Sequence, residues 1–310
     1  MFERCVSVLV AVQLLASLFL PIPLSTAAFQ AGADEQASSS FLIRKRVVEV
    51  QATFTVRDRH GHEVSDVEQA NVEVFQDGER ASVIWFRQAQ DVPLRLMLLV
   101  DTSDSMGPGL RDAARTAEEL VKEFVRPDVD SLMVQSFATE GGPRHSGSPQ
   151  IVSAGFRGIR AEGQTSLYDT IFDTCQALES SGSGPERRVI LLLSDGEDTW
   201  SHHALQDTIA MAQRANVSIY AVTAHSRRLV VRGDDVLRQM AEETGGEAII
   251  LHRYGQLEGA FSNVARDLRT HYVVGFRPSE NPGRFGFHPL KILVDKAGAT
   301  VRTRAGYYSQ

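Results

Sequence analysis

LMLLVDTSDSM, residues 96–106, decides the fold. Five apolar residues, Leu96 to Val100, run without a break into Asp101, Thr102, Ser103, Asp104 and Ser105. A strand that is apolar at every position is buried on both faces, and such strands belong to parallel sheets covered by helices. In an open sheet of that kind, ligands sit at the carboxyl ends of the strands, near the point where strand order reverses. The oxygens of 101–105 therefore fall where a site is expected.

Outward from this stretch the rhythm is strand, helix, strand, helix, from about residue 92 to 270. Leu110 to Val125 carries Leu110, Ala113, Ala117, Leu120, Val121 and Phe124 at helical spacing. SLMVQSF (131–137) is the next strand, and QIVSAGF (150–156) is expected as a short edge strand after a glycine-rich stretch. Helices at Leu167–Leu178, Ala204–Ala215, Val236–Glu243 and Leu257–Leu268 alternate with strands at RVILLLS (188–194), VSIYAVTA (217–224) and EAIIL (247–251). The pattern predicts a doubly wound α/β domain.

Both flanks are β. Residues 46–91 hold a period-two strand (Val48, Val50, Ala52, Phe54, Val56), then NVEVF and SVIWF joined by the turn QDGER. Residues 271–310 hold HYVVGF, PLKILVD and ATVRTR. Neither flank is long enough to bury a face alone, so one small β-sandwich completed by both ends is expected. Separate packing of each flank on the central sheet is the other arrangement.

The first 28 residues differ from the rest. A charged start is followed by an apolar run from Val6 to Leu20, then Pro21, Pro23 and the small residues Ser25 to Ala28. This pattern is that of a cleaved secretory signal peptide, and it predicts an exported chain, periplasmic or extracellular. Residues 29–45 are small and polar and read as a flexible lead-in. The 310 residues are 43% apolar and 23% charged, with a formal net charge of -7. That balance offers no basic footprint for nucleic acid. Of the two cysteines, Cys5 lies in the leader. Cys175 lies on an apolar helical stripe with Leu167, Ile171 and Leu178, so a buried, inert thiol is expected.

Three polar groups fall on the predicted rim: Asp101 to Ser105, Gly163-Gln164-Thr165-Ser166, and Ser194-Asp195-Gly196-Glu197-Asp198. Singly, each has an ordinary reading. Ser105 and Thr165 could cap the helices that follow them, and Asp195-Gly196 could be a plain turn. Together they form an all-oxygen set, which a hard cation such as Mg²⁺, Mn²⁺ or Ca²⁺ prefers.

The order of these pieces resembles a known family. D-x-S-x-S at 101–105, Thr165 in GQTSLYD and Asp195 in LLLSDGED are similar to the metal-ion-dependent adhesion site, or MIDAS, of von Willebrand factor A domains. The flanks resemble those of exported bacterial proteins that carry such a domain between short β segments, so the likeness covers nearly the whole chain beyond the leader. The resemblance implies that Ser103, Ser105 and Thr165 bind the cation through their hydroxyls. Asp101 and Asp195 would act mostly through bound water, or one of them would bind directly in the unliganded state. One coordination position would stay open for an Asp or Glu of a partner protein. Asp104 departs from the family, which usually has a small residue there; its side chain is expected to point to solvent. Glu197 and Asp198 read as rim acids. His202 and His203, being adjacent, are expected as separate solvated side chains.

Enzyme motifs are missing from the sequence. Position 103 is Ser, where an aspartyl-phosphate enzyme would want a second acid. There is no G-x-S-x-G elbow and no G-x-x-x-x-G-K-[ST] loop. A distant base, such as His225 after VSIYAVTA, is left open for a hydroxyl nucleophile. The chain is therefore expected not to be an enzyme. Two classes remain: a cation-dependent protein-binding module for adhesion or another protein–protein interaction, and a structural subunit of an envelope assembly in which the metal only stabilises loops.

Overall fold

The apolar run at 96–100 is buried on both faces because it lies in the middle of a parallel sheet. The computed structural model describes residues 49–107, 109–148, 153–156, 158–181, 186–224, 232–278 and 286–309. The leader, the whole lead-in, Val48 of the expected first strand and His225 lie outside them. In chain order the strands are β1 (Val50–Arg57), β2 (Val72–Gln76), β3 (Glu79–Gln88), β4 (Leu94–Asp101), β5 (Ser131–Phe137), β6 (Gly141–Ser146) and β7 (Arg187–Leu193), followed by β8 (Val217–Ala224), β9 (Ala248–Leu251), β10 (Tyr272–Arg277), β11 (Phe287–Val294), β12 (Thr300–Thr303) and β13 (Gly306–Tyr308). The helices are α1 (Leu110–Phe124), α2 (Leu167–Ser180), α3 (Leu205–Arg214), α4 (Arg232–Thr244) and α5 (Leu257–Arg269).

One sheet has the order β6-β5-β4-β7-β8-β9. Every pair in it is parallel except β5 with β6. Side chains of β4 alternate between two cores, as period two requires. Leu96, Leu98 and Val100 pack with the buried faces of α1 and α5. Met97 and Leu99 pack with those of α2, α3 and α4. From β4 the chain goes first to β5 on one side and later to β7 on the other. The order therefore reverses beside β4, and the crevice lies at the carboxyl ends of β4 and β7.

The expected edge strand at 150–156 is not what forms. Residues 150–152 are outside the described set, and Ser153–Phe156 is a 3₁₀ turn. The edge strand is β6, which doubles back on β5 through Ala138–Glu140, where Ala138 N–H donates to the Glu140 carbonyl at 3.1 Å. GGPRHS has little apolar alternation because an edge strand with one solvated face needs little. A Cβ on Gly142 would come within 2.8 Å of the Ser136 carbonyl oxygen, so its position wants glycine.

The two flanks complete each other as one antiparallel sheet, in the order β12-β1-β10-β3-β2-β11-β13. β10 lies between β1 and β3, and β11 pairs with β2, so strands from both ends of the chain interleave. The small sandwich expected of the flanks is built as one continuous sheet curled about Phe54, Val74, Tyr272, Val274, Phe276 and Ile292. A buried ionic cluster ties it to the parallel sheet. Asp267 on α5 is fully buried and accepts from Arg57 of β1, Arg302 of β12 and Tyr220 of β8. Glu247 binds the same two arginines.

Candidate metal centre

Asp101 ends β4 and is fully buried. Its Oδ1 accepts from the Ser103 N–H at 2.9 Å, which turns the chain out of the strand. Its Oδ2 accepts from the Ser194 hydroxyl at 2.6 Å. Ser103 is buried and Ser105 exposed, and their hydroxyl oxygens lie 3.1 Å apart. These two serines thus face one point although their chain neighbours do not. Asp104 between them is exposed, as expected.

The other two rim segments are held against this loop by backbone bonds. Asp104 N–H donates to the Gly163 carbonyl at 3.1 Å, and Glu162 N–H to the Thr102 carbonyl at 2.8 Å. Thr165 is buried; its N–H donates to the Thr199 hydroxyl, and its carbonyl accepts from the Thr199 and Trp200 N–H groups. Asp195, half-buried, follows β7, and Gly196 N–H donates back to the Ser194 hydroxyl. The 101–107, 162–166 and 194–201 segments are therefore one cross-tied unit at the switch point.

The capping readings fail on these contacts. α1 starts after Gly109 and α2 after Ser166, and neither receives a side-chain cap from that residue. The first N–H groups of α2 go elsewhere: Leu167 and Tyr168 donate to Asp198 Oδ1 at 2.8 and 3.2 Å, and Asp169 to the Ser201 hydroxyl. Ser105 and Thr165 are thus not spent on helix ends. The turn reading holds for one oxygen of Asp195, since its Oδ1 accepts from the Glu197 N–H at 3.1 Å. Gly196 completes that turn at φ +79°, in the left-handed region that favours glycine.

Electrostatics fit a cation. Burial pushes the Asp101 carboxyl up to about 6, against its hydrogen bonds to Ser103 and Ser194, and the nearby charge of Asp195 adds to the rise. Among the described residues, no cationic side chain offsets it. A buried carboxylate with a second acid as neighbour is costly unless a positive charge joins it. Asp101, Ser103 and Ser105 meet here, with the charge of Asp195 felt at Asp101 and Thr165 on a segment tied to the same loop; carboxylates and hydroxyls are the donor chemistry of Mg²⁺, Mn²⁺ or Ca²⁺. Among the described residues, no cluster of three or more His, Cys, Asp or Glu side chains offers a different kind of centre.

Several rim residues behave differently from the sequence reading. His202 and His203 do share a partner: both backbone N–H groups and both Nδ1 atoms meet Asp169, at 2.7–3.0 Å. The chain wraps over the amino end of α2, which brings two adjacent residues to one carboxylate. These contacts, through their N–H groups first, hold the Asp169 carboxyl well below the usual range against burial. Asp198 is not a mere rim acid but caps α2 from a distant loop. Ser194, which orients Asp101, was visible only as a polar residue ending a strand. Cys175 is fully buried, and burial raises its thiol pKa far above the usual range, as expected of an inert core residue.

The family model described as the von Willebrand factor type A domain matches residues 96–263. A solved von Willebrand factor type A structure from Catenulispora acidiphila is 11% identical over 86% of this chain and 75% of its own, with a TM-score of 0.49. Proximal thread matrix protein 1 from the mussel byssus, solved with a zinc-occupied MIDAS motif, is 15% identical over 59% of this chain and 49% of its own, with a TM-score of 0.46. This chain thus spans about half the length of that mussel protein. BatB from Bacteroides thetaiotaomicron is 14% identical over 57% of this chain and all of its own, with a TM-score of 0.42. No curated protein matches the chain.

Proposed function

The chain belongs to the von Willebrand factor type A domain family, and we propose that it is an exported, non-enzymatic binding module whose rim site takes a divalent cation and engages a carboxylate of a partner protein. The observation that carries this reading is the fully buried Asp101, which pairs with no cationic side chain among the described residues, has Ser103 and Ser194 on its carboxylate and feels the charge of Asp195. A bound Mg²⁺, Mn²⁺ or Ca²⁺ would supply an electrophilic coordination position for an incoming Asp or Glu. Neutral hydroxyls from Ser103, Ser105 and Thr165 quench little of a cation's charge, which favours an added anionic ligand. Asp101 and Asp195 fix the place of binding, and Ser194 orients Asp101.

The alternative, a cation that only stabilises loops in an envelope assembly, is less well supported. The three rim segments are already joined by their own backbone hydrogen bonds, which leaves little for a structural ion to hold. Export is supported by the sequence of residues 1–28. Among the described residues, no helix is long and apolar enough to cross a membrane.

The test is calorimetric titration with Mg²⁺, Mn²⁺ and Ca²⁺, on the wild type and on Asp101→Ala, with circular dichroism on both. Saturable one-site binding by the wild type, lost in a folded variant, is the expected result. A partner captured with Mg²⁺ and released by chelator then identifies the ligand. A folded wild-type protein that binds no cation, with or without a carboxylate-bearing partner, defeats the reading.

A further inference from the structure

At the opposite end of the parallel sheet from the metal centre lies a cavity of about 820 Å³, between the amino ends of β7 and β8 and the inner edge of the curled sheet. The length of β7 puts it roughly 20 Å from Asp195. We propose that this cavity is a binding site for a small polyanion carrying phosphate or carboxylate groups.

The charges of its wall do not balance. Among the described residues, four arginines line it, Arg87, Arg187, Arg188 and Arg304, against two acids, Glu49 and Glu186. Both acids are already engaged. Glu49 accepts from the Trp85 indole N–H at 2.7 Å and from Gln51 Nε2 at 3.2 Å. Glu186 pairs with Arg95 at 3.0 Å and with Arg188 at 3.6 Å.

Arg304 is the key cation of this wall. It reaches the cavity from the segment between β12 and β13, where its Nη1 donates to Asn216 Oδ1 and its Nη2 to the Gln51 carbonyl, each at 2.8 Å. Both acceptors are neutral. Its Nε has no partner among the described residues, and none of their carboxylates forms an ion pair with it. Burial lowers its pKa to about 10, with only the nearby Tyr307 opposing. Arg187 is similar. It donates to the carbonyls of Asp267 and Leu268 and to the Tyr220 hydroxyl, all neutral groups, and its Nε is also unpartnered.

The field these cations create is felt by a neighbour. His271 also lines the cavity, and its imidazole is pushed down to about 2, by burial first and then by the charge of Arg187, with Arg269 and Arg87 adding. Guanidinium groups inside low-dielectric walls focus a positive potential on the space between them. Fixed arginine forks bind phosphate and carboxylate by charge-assisted bonds. The volume is ample for a small-molecule ligand. This inference does not depend on the metal centre, and its test is run without divalent cations.

The test uses the purified full chain in buffer stripped of divalent cations on chelating resin. Sodium pyrophosphate and citrate are titrated against sodium chloride of matched ionic strength, with thermal unfolding and calorimetry as readouts. A saturating one-site signal is expected for at least one anion, with a Tm rise of about 2–4 °C at tenfold excess over its dissociation constant. Pyrophosphate binding tighter than citrate marks phosphate as the ligand chemistry, and the reverse marks carboxylate. Arg304→Gln is expected to weaken binding roughly 10–100-fold, while Asp101→Ala leaves it unchanged. If Arg304→Gln does not fold, the exposed Arg87→Gln decides, with an expected loss of about tenfold. No binding beyond the chloride control overturns the proposal, and so does binding that survives the deciding arginine substitution.

Discussion

Gly196 and Gly233 meet backbone to backbone. A Cβ on Gly196 would lie 2.3 Å from the Gly233 carbonyl oxygen, and a Cβ on Gly233 would lie 2.0 Å from the carbonyl oxygen of Asp195. The amino end of α4 therefore sets the position of the loop that carries one of the two candidate carboxylates.

Gly233→Ala is the first prediction. The new methyl group has no room unless the backbone of Asp195 and Gly196 shifts. Cation affinity is expected to fall about 10–100-fold, as for other residues that position a ligand without touching the metal. The circular dichroism spectrum should stay that of the wild type, since alanine suits a helix better than glycine does. Unchanged Mg²⁺ affinity in the titration would mean that the position of Asp195 does not matter to the site.

Asp267 ties the two sheets together, and its loss should be felt globally. Asp267→Asn leaves the Arg57 and Arg302 guanidinium groups beside Tyr220 with one acid fewer in a fully buried place. Breaking a buried ionic group on one side costs about 3–5 kcal/mol. Urea unfolding should register that loss with metal affinity unchanged. A cost under about 1 kcal/mol would mean that Glu247 alone compensates the two arginines.

Stability should fall in mild acid because of His271. The residue is 2% exposed, and burial, with Arg187 second, keeps its imidazole neutral down to about 2. The unfolded chain takes up a proton near pH 6.5. Between about pH 6.5 and 2 the unfolded state therefore binds more protons, and stability drops as pH falls, by about 1.4 kcal/mol per unit from this residue. His271→Phe keeps a ring in the site and removes the titration. Its unfolding free energy should lose pH dependence by that amount between about pH 4 and 6. An unchanged slope would assign the acid sensitivity to other groups.

What the sequence made legible follows from how local each signal is. The strands β4, β7 and β8 are apolar at nearly every position, so their burial in a parallel sheet can be read from a few neighbouring residues. Asp101, Ser103, Ser105, Thr165 and Asp195 could be named as candidates because topology sends their segments to one rim and their order resembles a known site. Edge strand β6 was missed because a strand with one partner and a solvated face carries no apolar alternation. Asp198 capping α2, both histidines on Asp169, and Gly233 under Asp195 were missed for another reason. Each is a contact between segments some 30 or more residues apart, set by how loops pass one another. The arginine-lined cavity is the extreme case, since β1, β3, β7, β8 and the segment after β12 must all be in place before their side chains face one space.

Trp200 is the residue on which the binding proposal is most exposed to failure. Its N–H donates to the Thr165 carbonyl, yet its side chain is 52% exposed, on the same cross-tied unit as the candidate ligands. A large aromatic left in solvent beside a site is an anchor for a partner more readily than a scattered surface residue, because tryptophan is enriched among residues that dominate binding energy. With Mg²⁺ bound, the indole should report the change at Thr165, so Mg²⁺ should alter intrinsic fluorescence in the wild type and much less in Trp200→Phe, where Trp85 alone remains. Trp200→Ala should leave Mg²⁺ affinity within about twofold, because no atom of the indole belongs to the donor set. It should weaken the chelator-sensitive partner by about 2 kcal/mol or more, close to 30-fold. Loss of partner binding together with loss of Mg²⁺ affinity would make Trp200 a support for the loop. Retention of both at wild-type strength would move the contact surface away from the 194–201 segment, toward the rim around Asp104 and Glu162.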